Sequence, residues 1–276
     1  MDFAYYNGSY LPYDDLTLPL CDRAIFFGDG VYECLVGGGG EIYQWSEHIE
    51  RLRRGVAFMR MDFSAYGKLL YIVKKLIELT GLQRYTVYLQ ISRRAERRVH
   101  ATQDFSRTNL LVTVTELPSF PRSDVSLISR NDIRYKMCNV KTLNLLPSVL
   151  ASHDALLAGA DETVFIRDGI VTECAHSNLF ILEQGVLLTH KTDELILPGI
   201  TRATLIKIAE RRGIPTRECS FTLERLIAAD EVLITSTTRL ARRARSIDGV
   251  QLKMKAAATA ELLIADLRSD FSEFCC

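Results

Sequence analysis

The chain has 276 residues, 47% of them hydrophobic and 25% charged, and its 34 basic residues balance 34 acidic ones to a net charge of zero. This is the composition of a globular chain with room for one large domain or two ordinary ones. The charge balance excludes any global attraction to nucleic acid or an anionic membrane, and no apolar run reaches the length of a membrane span.

The N-terminal stretch MDFAYYNGSYLPYDD lacks the basic-then-apolar order of a signal peptide, so a cytoplasmic protein is expected. Seven cysteines are scattered, with no CxxC pair, and the five histidines show no HExxH spacing. Free thiols are expected rather than a disulfide framework, and no metal site is expected.

In chain order, residues 3–12 alternate around Asn7-Gly8 and predict a short hairpin. Ile49, Leu52 and Val56 give a helix from His48 to about Phe58, and a second helix is predicted over Tyr66–Leu79. Tyr85–Ile91 and Leu110–Thr115 read as strands. The segment ELPSFPRS breaks the pattern with two prolines, which divides the chain into an N-terminal domain (1–116), a linker (117–123) and a C-terminal domain (124–276). In the second half, Leu145–Ala158 predicts a helix closed by Gly159. The runs VFI, IVTEC, LFIL and VLLTH, separated by short turns, predict an antiparallel meander. A helix follows over Arg202–Arg212, ended by Gly213, and then EVLIT runs as a strand into Ser236-Thr237-Thr238. Strands in runs with separate helices make the fold class α+β.

Four features of this half are hard to explain as packing. Lys141 lies between two apolar runs in NVKTLNLL, where a lysine is ordinarily only an exposed strand end. Glu173 closes the apolar strand IVTEC. Pro198-Gly199-Ile200-Thr201 precedes a helix, whose first N–H groups suit a phosphate as well as an ordinary cap. Ser236-Thr237-Thr238 offers hydroxyls at a strand end. A ligand with a phosphate, a group that condenses with an amine, and a nitrogen seeking a carboxylate would use all four, and pyridoxal 5'-phosphate (PLP) is such a ligand.

Spacing alone does not single it out, but six motifs in order do. DRAIFFGDGVYE, HIERL, VKTLNLLPSVLA, DGIVTECAHSNLF, LILPGITR and EVLITSTT resemble the fold-type IV PLP enzymes: D-amino acid aminotransferases, branched-chain aminotransferases and aminodeoxychorismate lyases. The resemblance runs from Tyr6 to about Gly249, and it implies a smaller N-terminal and a larger C-terminal domain with the cofactor between them. It implies that Lys141 forms the Schiff base with PLP and moves the proton at the substrate Cα, and that Glu173 pairs with the pyridine nitrogen. The phosphate falls by the same resemblance to Arg51, Ile200, Thr201 and Thr237, and the ring face to Leu197. Tyr32, with Arg98 and His100 from the neighbouring subunit of a homodimer, would trap the substrate carboxylate, as in D-amino acid aminotransferases.

The chain departs from the family in places. Arg94 and Arg97 replace a glycine and a proline, His176 enters a serine-rich segment, and the glycine-rich segment near the C-terminus is LKMKAAATAELL. Arg239 follows Ser-Thr-Thr and is a further candidate for the substrate carboxylate. The function expected is transfer of an amino group from a D-amino acid such as D-alanine to an α-keto acid such as 2-oxoglutarate. A branched-chain L-aminotransferase, an aminodeoxychorismate lyase and a non-enzymatic cofactor-binding protein are the alternatives.

Overall fold

A computed structural model describes residues 2–94, 98–101, 104, 107–120 and 123–275. The chain divides into two compact units, each drawn from separated stretches of sequence. The first comprises Met1–Ser119, Val140–Asn144 and Glu273–Cys276, and the second Phe120–Asn139 and Leu145–Ser272. Val140–Asn144, within the C-terminal domain on the sequence reading, is thus grouped with the first unit.

In the first unit the elements are β1 (Phe3–Tyr6), β2 (Ser9–Pro12), α1 (Arg23–Phe27), β3 (Gly30–Gly38), β4 (Glu41–Ile42), α2 (Trp45–Phe58), α3 (Tyr66–Thr80), β5 (Arg84–Arg93) and β6 (Thr108–Glu116). Six strands form one antiparallel sheet in the order β2-β1-β6-β5-β3-β4. The expected hairpin turns at Asn7 (φ 46°) and Gly8 (φ 108°), the left-handed pair that matches strand twist. Both predicted helices are present. Ile49, Leu52 and Val56 of α2, with Leu69, Ile72, Val73 and Leu76 of α3, share a core with Val87, Leu89 and Ile91 of β5. These are the period-3.6 and period-2 faces of the sequence meeting each other.

The strip Val140–Asn144 lies along the start of β3. Thr142 bridges Val31, Leu143 N–H donates to Gly30 O at 3.1 Å, and Tyr32 N–H donates to Lys141 O at 3.0 Å. The motif Gly28-Asp29-Gly30 makes this approach possible. A Cβ at Gly30 would lie 2.8 Å from Leu143 Cδ1 and 2.7 Å from Ile91 O, and one at Gly28 would lie 2.7 Å from Asn144 Oδ1.

In the second unit the elements are β7 (Val125–Asn131), α4 (Leu146–Leu157), β8 (Glu162–Arg167), β9 (Ile170–Cys174), β10 (Asn178–Glu183), β11 (Val186–Thr189), α5 (Ile200–Arg211), β12 (Thr216–Glu218), α6 (Leu223–Ala228), β13 (Glu231–Ser236), β14 (Leu240–Ile247), β15 (Val250–Gln251) and α7 (Ala257–Cys275). The end of α7 is grouped with the first unit. The sheet runs β12-β11-β10-β13-β14-β7-β8-β9, with β15 beside β14. Pairing is parallel at β7/β8, β7/β14 and β11/β12 and antiparallel elsewhere.

The predicted meander is therefore interrupted. β8 pairs with β9 and β10 with β11, but β10 turns to β13 instead of β9. Residues 174–177 explain the break. Cys174 N–H donates to Ser177 O at 2.7 Å, Ala175 N–H to Thr163 O at 2.9 Å, and buried Glu162 accepts from His176 N at 2.9 Å and Ser177 Oγ at 2.9 Å. The turn is tied to β8, and the chain leaves it in a new direction.

Candidate active site

In the first unit, Lys141 is half-buried, and its Nζ lies 4.2 Å from the centroid of the Tyr32 ring. A cation over an aromatic face is stabilised by the ring quadrupole. Tyr32 in turn packs 5.5 Å from Tyr88, whose hydroxyl donates to Gln90 Oε1 at 2.7 Å. Tyr32 and Lys141, predicted separately from two motifs, are brought together.

Alternate residues of a strand face opposite sides, so Glu33 points away from Tyr32 and toward α2. There it meets His48 and Arg51, which share a helix face at i and i+3. Glu33 is 0% exposed, His48 1% and Arg51 6%. Arg51 Nε donates to Glu33 Oε1 and Nη2 to Oε2, both at 2.8 Å, in a fork that fixes the guanidinium plane. Burial pushes the Glu33 carboxyl up, but the Arg51 charge and the hydrogen bonds from Arg51 and His48 outweigh it and hold it at about 2. Glu33 is therefore an acceptor, and His48 Nδ1, 2.7 Å from Oε2, carries the proton. Burial keeps the imidazole neutral. Its Nε2 is buried and, among the described residues, has no hydrogen-bond partner. The Glu33–His48 pair was not foreseen, although their places in GDGVYE and HIERL carry the signal.

Arg98 and His100 gather on α1. The Arg98 guanidinium lies 5.3 Å from the Phe27 ring and His100 5.4 Å from it. Buried Arg23 secures their backbone, donating from Nη1 to Val99 O at 2.5 Å and from Nη2 to His100 O at 3.0 Å. Asp29 anchors Arg23 at 2.7 Å and Arg93 at 3.0 Å. Arg97 lies outside the described residues.

In the second unit, Glu173 is 5% exposed and surrounded by donors. Arg134 Nη1 donates to Oε1 at 2.5 Å, Asn178 Nδ2 to Oε2 at 2.9 Å, and Leu197 N–H to both oxygens at 3.1 and 3.2 Å. Asn178 also donates to Leu197 O at 2.9 Å, so Glu173 and Leu197 are fixed by one amide. Two residues on, Gly199 opens α5 with no side-chain cap, leaving Ile200 and Thr201 in the first helical turn. That turn carries the N–H groups that α-helix geometry leaves without intrahelical acceptors. A Cβ at Gly199 would fall 1.9 Å from Asn178 Oδ1. Thr237 and Arg239 sit in the turn between β13 and β14, both half-buried. His176 places Nδ1 3.0 Å from Glu162 Oε1, with its ring 43% exposed.

Chemically, a primary amine, a buried carboxylate and an uncapped helix N-terminus match the aldehyde, ring nitrogen and phosphate of PLP, so the residues present fit that group. Arg134 was missed. It lies 39 residues from Glu173 in sequence, and no short motif joins the two.

The profile of the amino-transferase class IV family matches residues 30–247. The D-alanine aminotransferase of Listeria monocytogenes serotype 1/2a (strain 10403S) is 38% identical over 254 residues, covering 89% of this chain and 88% of that one. The D-alanine aminotransferase of Bacillus licheniformis is 35% identical over 250 residues, 88% of each chain. Among solved structures, the T.th. branched-chain amino acid aminotransferase with pyridoxamine 5'-phosphate superposes with a TM-score of 0.90 at 22% identity, over 98% of this chain and 94% of that one. The branched-chain aminotransferase of Thermoproteus uzoniensis with norvaline does so with a TM-score of 0.86 at 22% identity, over 99% and 97%. At that identity the structural likeness establishes the fold.

Proposed function

Because the chain belongs to the class IV amino-transferases, PLP-dependent enzymes, we propose that it transfers the amino group of a D-amino acid such as D-alanine to an α-keto acid such as 2-oxoglutarate. The observation that carries this reading is the 38% identity to D-alanine aminotransferase over 89% of the chain.

When bound, the cofactor supplies an aldehyde that takes up the amino group and a ring that draws electron density from Cα. In this reading Lys141 is the amine that holds the cofactor and moves the proton at Cα, for which it must work uncharged. Glu173 offers a carboxylate to the ring nitrogen, and Leu197 packs on the ring. The first N–H groups of α5 at Ile200 and Thr201, the Thr201 and Thr237 hydroxyls, and Arg51 take the phosphate, where helix dipole and charge both favour an anion. Tyr32, Arg98 and His100 hold the substrate carboxylate, with Arg239 as a further cation for it. The same reading expects a cytoplasmic homodimer. Its support is the family's motifs, together with the pairing of Tyr32 with Lys141 and of Glu173 with Leu197.

The test is to follow cofactor absorption on mixing the enzyme with single amino acids. D-Alanine alone converts the cofactor to its amine form, and the steady state with a keto acid is ping-pong. Turnover of L-leucine without D-alanine overturns the stereochemistry. Release of pyruvate from aminodeoxychorismate without a keto-acid acceptor overturns the reaction class.

A further inference from the structure

Beneath Glu173 lies a cluster of charges that transamination chemistry does not itself require. Arg134 spends its whole guanidinium there. Nε donates to Asp132 Oδ1 at 2.9 Å, Nη2 donates to Asp132 Oδ2 at 2.9 Å and Leu195 O at 3.1 Å, and Nη1 donates to Glu173 at 2.5 Å. The guanidinium carbon stands 4.5 Å from the Phe165 ring centroid. Arg167 Nη2 pairs with Asp132 at 3.1 Å and donates to Arg134 O at 2.6 Å, and Thr172 Oγ1 lies 3.2 Å from Asp132 Oδ2. Asp132 and Glu173 against Arg134 and Arg167 make a neutral quartet only while both carboxyls are ionised.

We propose that Arg134 is a positioning residue that keeps Glu173 ionised and oriented toward the cofactor ring nitrogen. The inference rests on the reading of Glu173 given above. A ring nitrogen that carries a proton needs an acceptor, and a protonated carboxyl in this place would be a competing donor. Burial works against ionisation and, with Asp132 pushing the same way, outweighs the pull of Arg134 and the Leu197 amide, so that Glu173 stands at about 7, within reach of ionisation at neutral pH only while Arg134 is there. Removing Arg134 leaves the cluster with two carboxyls and one arginine, so the proton stays on Glu173. The nearby thiols stay neutral and add no further negative charge to the cluster, because burial pushes Cys138 up to about 11 and Cys174 well above its ordinary value. Asn178 contributes a neutral amide donor that orients Glu173 and adds no formal charge to the cluster.

The experiment compares wild type, Arg134→Met, Arg134→Lys, Glu173→Gln and the Arg134→Met/Glu173→Gln double variant by two measurements. The first is kcat and the pH dependence of the bound cofactor's absorption. Glu173→Gln and Arg134→Met each lower kcat about 10- to 100-fold, the scale of one charge-assisted hydrogen bond. The double variant is no worse than Glu173→Gln, and Arg134→Lys recovers part of the loss. The absorption midpoint moves by about a pH unit or more in Arg134→Met.

The second measurement is thermal unfolding of the cofactor-free protein against pH. A carboxyl whose folded pKa is raised loses stabilisation as pH climbs from the ordinary value through the folded one. In Arg134→Met that loss extends to higher pH than in wild type, and the extension vanishes in the double variant. If Arg134→Met does not fold, the midpoint and unfolding curve of Arg134→Lys decide. Multiplying losses in the double variant, or an effective Glu173→Gln beside a silent Arg134→Met, overturn the role of Arg134 alone. A Glu173→Gln enzyme with unchanged cofactor absorption and kcat overturns the reading of Glu173, and the inference with it.

Discussion

Tyr32 and Lys141 are joined twice: the Tyr32 amide donates to the Lys141 carbonyl at 3.0 Å, and the Lys141 ammonium stands 4.2 Å from the Tyr32 ring centroid. One residue on β3 therefore sets both the backbone and the head group of the lysine. Tyr32→Phe keeps the ring and is expected to retain cofactor attachment while raising the KM for amino donors severalfold. Tyr32→Leu also loses the aromatic face, worth about 0.5–2 kcal/mol, and is expected to lower the unfolding temperature of the cofactor-free protein. Steady-state kinetics and thermal unfolding separate the two effects.

The buried trio on α2 and β3 is expected to govern acid stability. Because the Glu33 carboxyl is held at about 2 against an ordinary 4.5, its stabilisation is complete above pH 4.5 and is lost as pH falls through about 2. Glu33→Gln removes the carboxylate that forks to the buried Arg51 guanidinium and is expected to cost about 3 kcal/mol or more at neutral pH. Urea unfolding at neutral and acid pH checks both statements, since the gap between wild type and variant narrows as the medium becomes acid.

Gly199→Ala is a steric test of the Glu173 surroundings. The φ and ψ of Gly199, −64° and 136°, suit alanine, so any damage comes from the 1.9 Å clash with Asn178 Oδ1. Displacing Asn178 removes its bonds to Glu173 Oε2 and Leu197 O. A rise of about tenfold or more in the PLP dissociation constant is expected, on the scale of one or two buried hydrogen bonds. Asn178→Ala should reproduce it, as read by titrating cofactor-free protein.

Arg239 and Arg98 are competing cations for the substrate carboxylate. Arg239→Ala is expected to raise the KM for D-alanine about tenfold or more, the value of one charge-assisted contact. Arg98→Ala provides the comparison. An unchanged KM in Arg239→Ala assigns the carboxylate to Arg98 and His100.

Much of the framework could be read from periodicity, because the apolar faces of α2, α3 and β5 are core faces and nothing else competes for them. β14 escaped notice for the opposite reason. Its sequence LARRARSI looks like a solvated loop, yet Arg242 donates to Ser123 O at 3.0 Å and Arg243 pairs with buried Glu231 at 3.3 Å. Such partners lie far off in sequence and leave no local signature. The same holds for the site. Lys141, Glu173 and the start of α5 sit in recognisable motifs, whereas Arg134 and Asp132 are joined to Glu173 by tertiary contacts alone.

The interleaving of the two units bears on how the protein is made. A nascent chain that has emerged as far as Ser119 holds the whole six-stranded sheet but lacks both Val140–Asn144 and Glu273–Cys276, which are grouped with it. At translation speeds of about 5–20 residues per second, those strips arrive seconds later. Until then the glycine-lined edge at Gly28 and Gly30 is open where Leu143 and Asn144 belong. A fragment cut at the proline-rich boundary would contain all six strands of the first sheet and lack Lys141.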